Sequence, residues 1–129
     1  AEFAGNFYGT PRAFIEKAKA HGDIAVLDID IQGAAQIRRT MPDAVTIFVA
    51  PPSLAALEQR LRARKTETEE AIARRLARVP SELAAAKYYD YLVWNDRVEN
   101  AVQAILEVIR VESRRISRMD LEGDWLPKV

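Results

Sequence analysis

Residues Ile24 to Arg39 read IAVLDIDIQGAAQIRR, and the fold turns on how this stretch is parsed. Ile24, Ala25, Val26, Leu27 and Ile29 have the character of a buried strand, yet Asp28 and Asp30 fall inside the same run. A carboxylate carried into an apolar interior loses its hydration at a cost of kilocalories. The pattern predicts a buried strand, DIAVLDID, ending in two aspartates that face something other than the core. AAQIRRTM then predicts a short helix. Spaced two apart, Asp28 and Asp30 share one face of a regular strand. Two roles stay open on spacing alone: holding magnesium through water at a phosphoryl-transfer site, or capping the helix that starts near Gly33.

Outward from this stretch, strand-like runs and helix-like stretches alternate. Before it, NFYGT reads as a short aromatic strand. TPRAFIEKAKAHG reads as a helix, with Thr10 placed to cap it, Pro11 in its first turn and Gly22 at its stop. After it, AVTIFVA is a second buried strand, and PPS breaks the chain and caps a helix with Leu54, Leu57 and Leu61 on one face. Thr66 and Glu69 have capping-box spacing and open a long helix through Ile72, Leu76 and Leu83, which Pro80 kinks or splits. YDYLVWN is a third strand, and Val98, Val102, Ile105 and Ile109 mark one face of a final helix. RVESRRISR reads as solvated surface, because that helix also carries Glu107 and Glu112. Beyond about Ser117 the periodicity is lost, and a tail pinned by Trp125 is expected. This alternation predicts an α/β domain with a parallel sheet, where ligands bind beyond the carboxyl ends of the strands.

Composition narrows the function. The chain has 129 residues, about one domain's worth, with 49% hydrophobic and 29% charged residues, the balance of a soluble globular protein. Nineteen basic residues balance nineteen acidic ones, so bulk charge argues against nucleic acid or an anionic membrane as partner. With no cysteine and one histidine, His21, disulfides, thiolate metal sites and histidine metal clusters are excluded. No apolar run approaches the roughly 18–20 residues of a membrane helix, and AEFAGNFYG lacks the features of a signal peptide. A cytoplasmic location is the expectation. The sequence starts without Met, directly at strand-like residues, which points to a partial chain.

Four constellations carry chemistry. The first is Asp28 with Asp30. The second is EQRLRARKTETEEAIARRLAR, where Arg60 and Arg64 share a helix face and Arg75 lies on the next helix. Arginine forks match phosphate oxygens, and mobile helix pairs carrying them act as lids; the plain alternative is a solvated hairpin balanced by Glu67, Glu69 and Glu70. In the third, Tyr8 and Thr10 offer hydroxyls at a helix start that favours anions, although a Thr-Pro start also serves as a simple cap. The fourth is Trp94, Asn95 and Asp96 at the end of the third strand, on the ligand-binding edge, where Asn and Asp also make ordinary turns.

Taken in order, GNFYGTP, VLDIDIQGA, IFVAPPS, RLRARKTETEEAIARRL and YDYLVWND resemble the guanylate kinase family from about Gly5 to Glu112. The resemblance implies the nucleoside-monophosphate-kinase form of the P-loop α/β fold, a three-layer parallel sheet with a helical lid. It makes residues 1–129 a partial guanylate-kinase-like domain, with about 1–10 a remnant of the GMP-binding region and about 58–80 the lid. The implied reaction is magnesium-dependent transfer of a phosphoryl group from ATP to GMP, giving ADP and GDP. Tyr8, Thr10 and Asp30 match GMP-side contacts, and Asp28 matches the acid at the magnesium position. Arg60, Arg64 and Arg75 match lid arginines that close on the phosphates, with Arg64 also near the adenine; Asn95 matches the asparagine beside the adenine pocket. The implied partners are ATP and GMP.

The departures are specific. No G-x-x-x-x-G-K-[ST] motif occurs, so the phosphate-cradling loop and its lysine are not in this sequence. In the family that loop, its strand, the first GMP-binding arginines and the guanine-reading serine and glutamate precede the point where this chain begins. Lys65 stands where the family usually has glycine, and Pro80 falls in a helix that is normally continuous. The P-loop strand lies between the VLDID and TIFVA strands in the family. Without it both strand edges are exposed, and self-association through them is expected. A guanylate-kinase-like interaction module without catalysis is the alternative: lack of the P-loop favours it, while Asp28, Asp30 and the three arginines favour the enzyme.

Overall fold

The computed structural model describes residues 12–121, together with the backbone of Glu2–Phe3 and Asn6–Phe7. The chain divides into two compact units, Ala1–Ala44 and Val45–Val129, each described here on its own.

In the first unit, β1 (Glu2–Phe3) and β2 (Asn6–Phe7) form a small antiparallel ladder. Helix α1 (Arg12–Ala20) ends in a Schellman closure: Gly22 takes φ +74°, Gly22 N–H donates to Lys19 O at 3.1 Å and Asp23 N–H to Ala18 O at 2.8 Å. The stop at Gly22 is thus as expected, while Thr10 and Pro11 lie outside the described residues. Helix α2 (Ile31–Thr40) is capped by Asp30, whose Oδ1 accepts from Gly33 N–H at 2.8 Å. A Cβ on Gly33 would fall 3.2 Å from Ile29 Cβ and 3.3 Å from Asp30 Oδ1, so a larger residue there would have to push Ile29 or the capping carboxylate aside by a few tenths of an ångström. Arg12 Nη2 donates to Thr40 O at 3.0 Å, tying α1 to the end of α2.

The buried strand expected at DIAVLDID is corrected here. Residues 23–30 form no strand, and Ile24 and Val26 are 60% and 74% exposed. The apolar run has strand character, but a strand exists only where neighbours satisfy its N–H and C=O groups. Among the described residues nothing forms a ladder with this segment. Asp28 and Asp30 are exposed carboxylates, facing away from any core as expected although the strand that was to carry them does not form.

In the second unit, β3 (Ile47–Ala50) and β4 (Tyr91–Trp94) pair in parallel, with Ile47 opposite Tyr91 and Ala50 opposite Trp94. Asp90 clamps the strand starts: its Oδ2 accepts from Thr46 N–H at 2.9 Å and from the Thr46 hydroxyl at 3.1 Å. At the carboxyl ends, Asn95 N–H donates to Ala50 O at 2.7 Å. Between the strands run α3 (Leu54–Ala63), α4 (Glu69–Ala77) and α5 (Val79–Ala86), and α6 (Val98–Glu112) and a 3₁₀ turn (Ile116–Arg118) follow β4. Ser53 caps α3 through Ala56 N–H at 3.0 Å, as PPS suggested. Leu61 and Ile72 are buried on α3 and α4, whereas Leu54 and Leu83 stay exposed.

Two expectations change within this unit and one holds. The cap of α4 is Thr68, which accepts from Ala71 N–H at 3.1 Å, so Thr66 and Glu69 form no capping box. With Thr68 as cap, Glu69 and Glu70 both enter the first turn, where the helix dipole favours them. Pro80 does split the long helix, sitting in the first turn of α5 where its missing N–H is harmless. Helix α6 buries Ala101 and Glu112 and half-buries Ile105 and Ile109, leaving Val98 and Val102 exposed, so its inner face is rotated from the expected one.

Glu112 is the largest surprise. Rather than lying on a solvated face, it is buried and accepts from Tyr91 Oη and Arg115 Nε, both at 2.5 Å, and from Arg118 Nη2 at 3.4 Å. The network ties the end of α6 and the 3₁₀ turn to β4. Trp125 lies outside the described residues.

Candidate active site

The carboxyl ends of β3 and β4 lead into Pro51–Ser53 and Asn95–Arg97, the edge where a parallel sheet binds ligands. Arg60 projects from α3 onto this edge. Its Nη1 donates to Asn95 O at 2.7 Å and its Nη2 to Asp96 O at 2.9 Å. Arg60, expected on the phosphates, and Asn95, expected beside the adenine, are thus neighbours, joined through the asparagine's main chain. The Asp96 carboxylate accepts from Arg97 N–H at 2.7 Å and Asn100 Nδ2 at 3.2 Å, and these bonds hold its carboxyl below the usual range.

Arg64 lies at the end of α3, 4.0 Å from the Glu67 carboxylate. Next to it Lys65 takes φ +57°, a left-handed conformation that costs a side-chain-bearing residue and that glycine adopts freely. Arg75 on α4 contacts Glu82 on α5, its Nη1 lying 3.0 and 3.2 Å from the two carboxylate oxygens. An open cleft of about 380 Å³ along α4 is lined by Glu67, Ala71, Arg74, Arg75 and Arg78. Arg62 bridges α3 to α4, donating to Glu58 at 3.1 Å and to Glu69; the latter bond holds the Glu69 carboxyl below its usual range and raises the guanidinium. The hairpin is laced with ion pairs, as its solvated reading anticipated, yet Arg74, Arg75 and Arg78 converge on one cleft.

In the first unit, Asp30 spends one oxygen on the α2 cap, which supports the capping alternative for it. Asp28 is exposed and makes no hydrogen bond or ion pair among the described residues. Those residues contain no cluster of three His, Cys, Asp or Glu side chains able to hold a metal on its own. Tyr8 and Thr10 lie outside the described residues. Sequence reasoning missed Glu82 as the partner of Arg75 and Glu112 as a buried anchor. The seven-residue spacing of Arg75 and Glu82, two helical turns on one face, was the available signal for the first.

The parallel strand pair, its helical connections and the arginine-bearing hairpin make an α/β protein consistent with the P-loop nucleoside-monophosphate-kinase class. The structure is similar to the crystal structure of guanylate kinase from Anaplasma phagocytophilum, with a TM-score of 0.75 and 30% identity, covering 97% of this chain and 63% of that one. Residues 1–112 match the guanylate kinase family model, and the chain belongs to the guanylate kinase family. Its sequence is 47% identical over 118 residues to the guanylate kinase of Symbiobacterium thermophilum, covering 92% of this chain and 56% of the relative. It is 41% identical over 132 residues to that of Carboxydothermus hydrogenoformans, covering 99% and 65%. The chain therefore spans between 56 and 65% of the length of these two curated relatives. The family resemblance carried by the five sequence blocks is borne out. Among the described residues no helix is long and apolar enough to cross a membrane.

Proposed function

We propose that this chain carries the lid, the adenine side and part of the GMP side of an ATP:GMP phosphotransferase. The observation that carries this reading is the arginine-bearing hairpin at the carboxyl edge of a parallel sheet, in a chain of the guanylate kinase family. Phosphoryl transfer asks for in-line positioning and for neutralisation of phosphate charge, with little covalent help from the protein. Arg64 and Arg75, on the solvated hairpin, supply that charge as the lid closes and exclude water. Arg60 holds the Asn95–Asp96 loop, and the Asn95 side chain stays available to the adenine. Tyr8 and Thr10 bind the GMP phosphate, and Asp30 adds a GMP contact through the oxygen that its cap leaves over.

Magnesium fits the residues present. It keeps most of its water and needs only one or two carboxylates beside substrate phosphates, so Asp28, exposed and without a partner among the described residues, suffices where those residues hold no cluster. Asp28 would hold the ion through its water shell, and the ion would supply positive charge against the substrate phosphates.

The reading is tested by a GMP-dependent ADP-release assay on two proteins. The 129-residue chain alone has no Walker lysine or loop, and its turnover should stay far below about 1 per second, the low end for kinases. The same chain joined behind the P-loop segment of the Symbiobacterium thermophilum relative should turn over in that range. A joined protein that folds and binds neither ATP nor GMP would instead support the non-catalytic interaction module.

A further inference from the structure

Arg75 and Glu82 face each other from α4 and α5, on either side of the Pro80 break. Both oxygens of Glu82 sit on one nitrogen of Arg75, Nη1, at 3.0 and 3.2 Å. An arginine–carboxylate pair at full strength is fork to fork, two nitrogens on two oxygens. Here Nε and Nη2 have no partner among the described residues. The same side chain lines the cleft along α4, where Arg74 and Arg78 have no carboxylate partner among the described residues and Glu67 already faces Arg64. Arg74, Arg75 and Arg78 outnumber the two carboxylates beside them, Glu67 and Glu82, which makes that cleft attractive to an anion.

We propose that Glu82 is a positioning residue: by gripping Nη1 alone, it fixes the plane of Arg75 so that Nε–H and Nη2–H donate into the cleft, toward a phosphate chain. This inference rests on the phosphoryl-transfer reading and adds to it a residue outside the three lid arginines. The pair is only partly buried, with side chains 30% and 24% exposed, and such pairs add little to stability. Its consequence is pre-ordering. A long side chain immobilised in advance spares the ordering cost at binding, worth roughly two- to tenfold in affinity.

The test titrates inorganic tripolyphosphate into the 129-residue chain at about 0.15 M salt, where contributions from charges more than about 8 Å away are largely screened. The arginine Nε–Hε resonances report each guanidinium separately. In the wild type, Arg75, Arg74 and Arg78 should all shift. Glu82→Gln, and Glu82→Asp, which keeps the charge but retracts it by one methylene, should both weaken the response at Arg75 by roughly threefold or more. Arg74 and Arg78 should still respond, and the melting temperature should hold. An Arg75 response that stays equal or tightens in Glu82→Gln makes Glu82 a competing counter-ion and overturns the proposal. A fall in melting temperature with shifts throughout the hairpin makes it a structural bridge and overturns it as well. Wild-type shifts at Arg74 and Arg78 without Arg75 overturn the positioning role alone, whereas no shift at any lid arginine overturns the phosphate-site reading beneath it.

Discussion

Glu112 ends α6 with its side chain 8% exposed and its oxygens shared by Tyr91, Arg115 and Arg118. The Arg115 bond first, and the Tyr91 hydroxyl next, hold its carboxyl down from 4.5 to about 2. A carboxyl whose pKa is lower folded than unfolded stabilises fully above its unfolded value, and that stabilisation disappears as pH falls through the folded one. Wild-type melting temperature should therefore drop between about pH 5 and pH 2 by more than that of Glu112→Gln, which should start lower at pH 7. Parallel melting curves for the two proteins would rule the network out as a source of acid sensitivity. Asp28 and Asp30, unlike Glu112, are exposed. Asp30→Ala should cost about 1 kcal/mol through the lost α2 cap, and Asp30→Asn should keep the cap. Asp28→Asn should leave the melting temperature unchanged and, in the P-loop-joined protein, weaken magnesium-dependent turnover strongly. Magnesium titrations of the joined protein and its Asp28→Asn variant decide it. The identity of these residues was legible in the sequence, as was the cap as one role for Asp30. The burial of Glu112 was not, since helical periodicity counts a glutamate as solvent-facing and cannot see three donors converging from β4 and the 3₁₀ turn.

The α3–α4 hairpin is where local sequence rules and function meet. Gly22, Ser53 and Pro80 each mark a boundary through backbone chemistry that acts within a few residues, and each was readable for that reason. The start of α4 was not, because TETEE offers two threonines as caps and only the seating of Glu69 and Glu70 in the first turn separates them. Within the hairpin, Lys65 holds φ +57° next to Arg64. Lys65→Gly should relieve that strain, offset in part by the entropy of glycine in the unfolded chain, for a net gain of up to about 1 kcal/mol. Thermal denaturation reads this directly, and a lower melting temperature would show that the turn is not strained. Arg64→Ala and Arg75→Ala should change stability little, since the Arg64 contact is exposed and the Arg75–Glu82 pair is only partly buried, each worth about 0–1 kcal/mol, yet cut turnover of the P-loop-joined protein by orders of magnitude. Near-normal turnover would return both to the solvated-hairpin reading. Arg60→Ala should also loosen the Asn95–Asp96 loop, whose two carbonyls lose their donors.

At the scale of the molecule, the parallel sheet and its right order of elements were legible because β3 and β4 carry both partners of their ladder within this sequence. Residues 23–30 carry strand chemistry without a strand, because apolar side chains record which face wants burial and say nothing of whether a neighbour is present to take the hydrogen bonds. Ile24 and Val26 are left exposed, and Val49, Leu92 and Trp94 are exposed on the β3–β4 pair. Unpaired edges and apolar side chains in water favour association with like surfaces. The 129-residue chain should therefore self-associate with rising concentration in sedimentation experiments, and its amides from Ala25 to Ile29 should exchange with solvent quickly. Joining it behind a relative's P-loop segment supplies the strand that the family places between these two runs. Exchange at Ala25 to Ile29 should then slow by orders of magnitude, in the range of core strands, and association should diminish. Protection that appears while association persists would locate the sticky surface on the exposed side chains of the β3–β4 pair rather than on the open edge. If those amides stay unprotected in a joined protein that turns over GMP, the segment works as an extended ligand-binding loop, and the strand reading of IAVLDID fails for the complete fold as well.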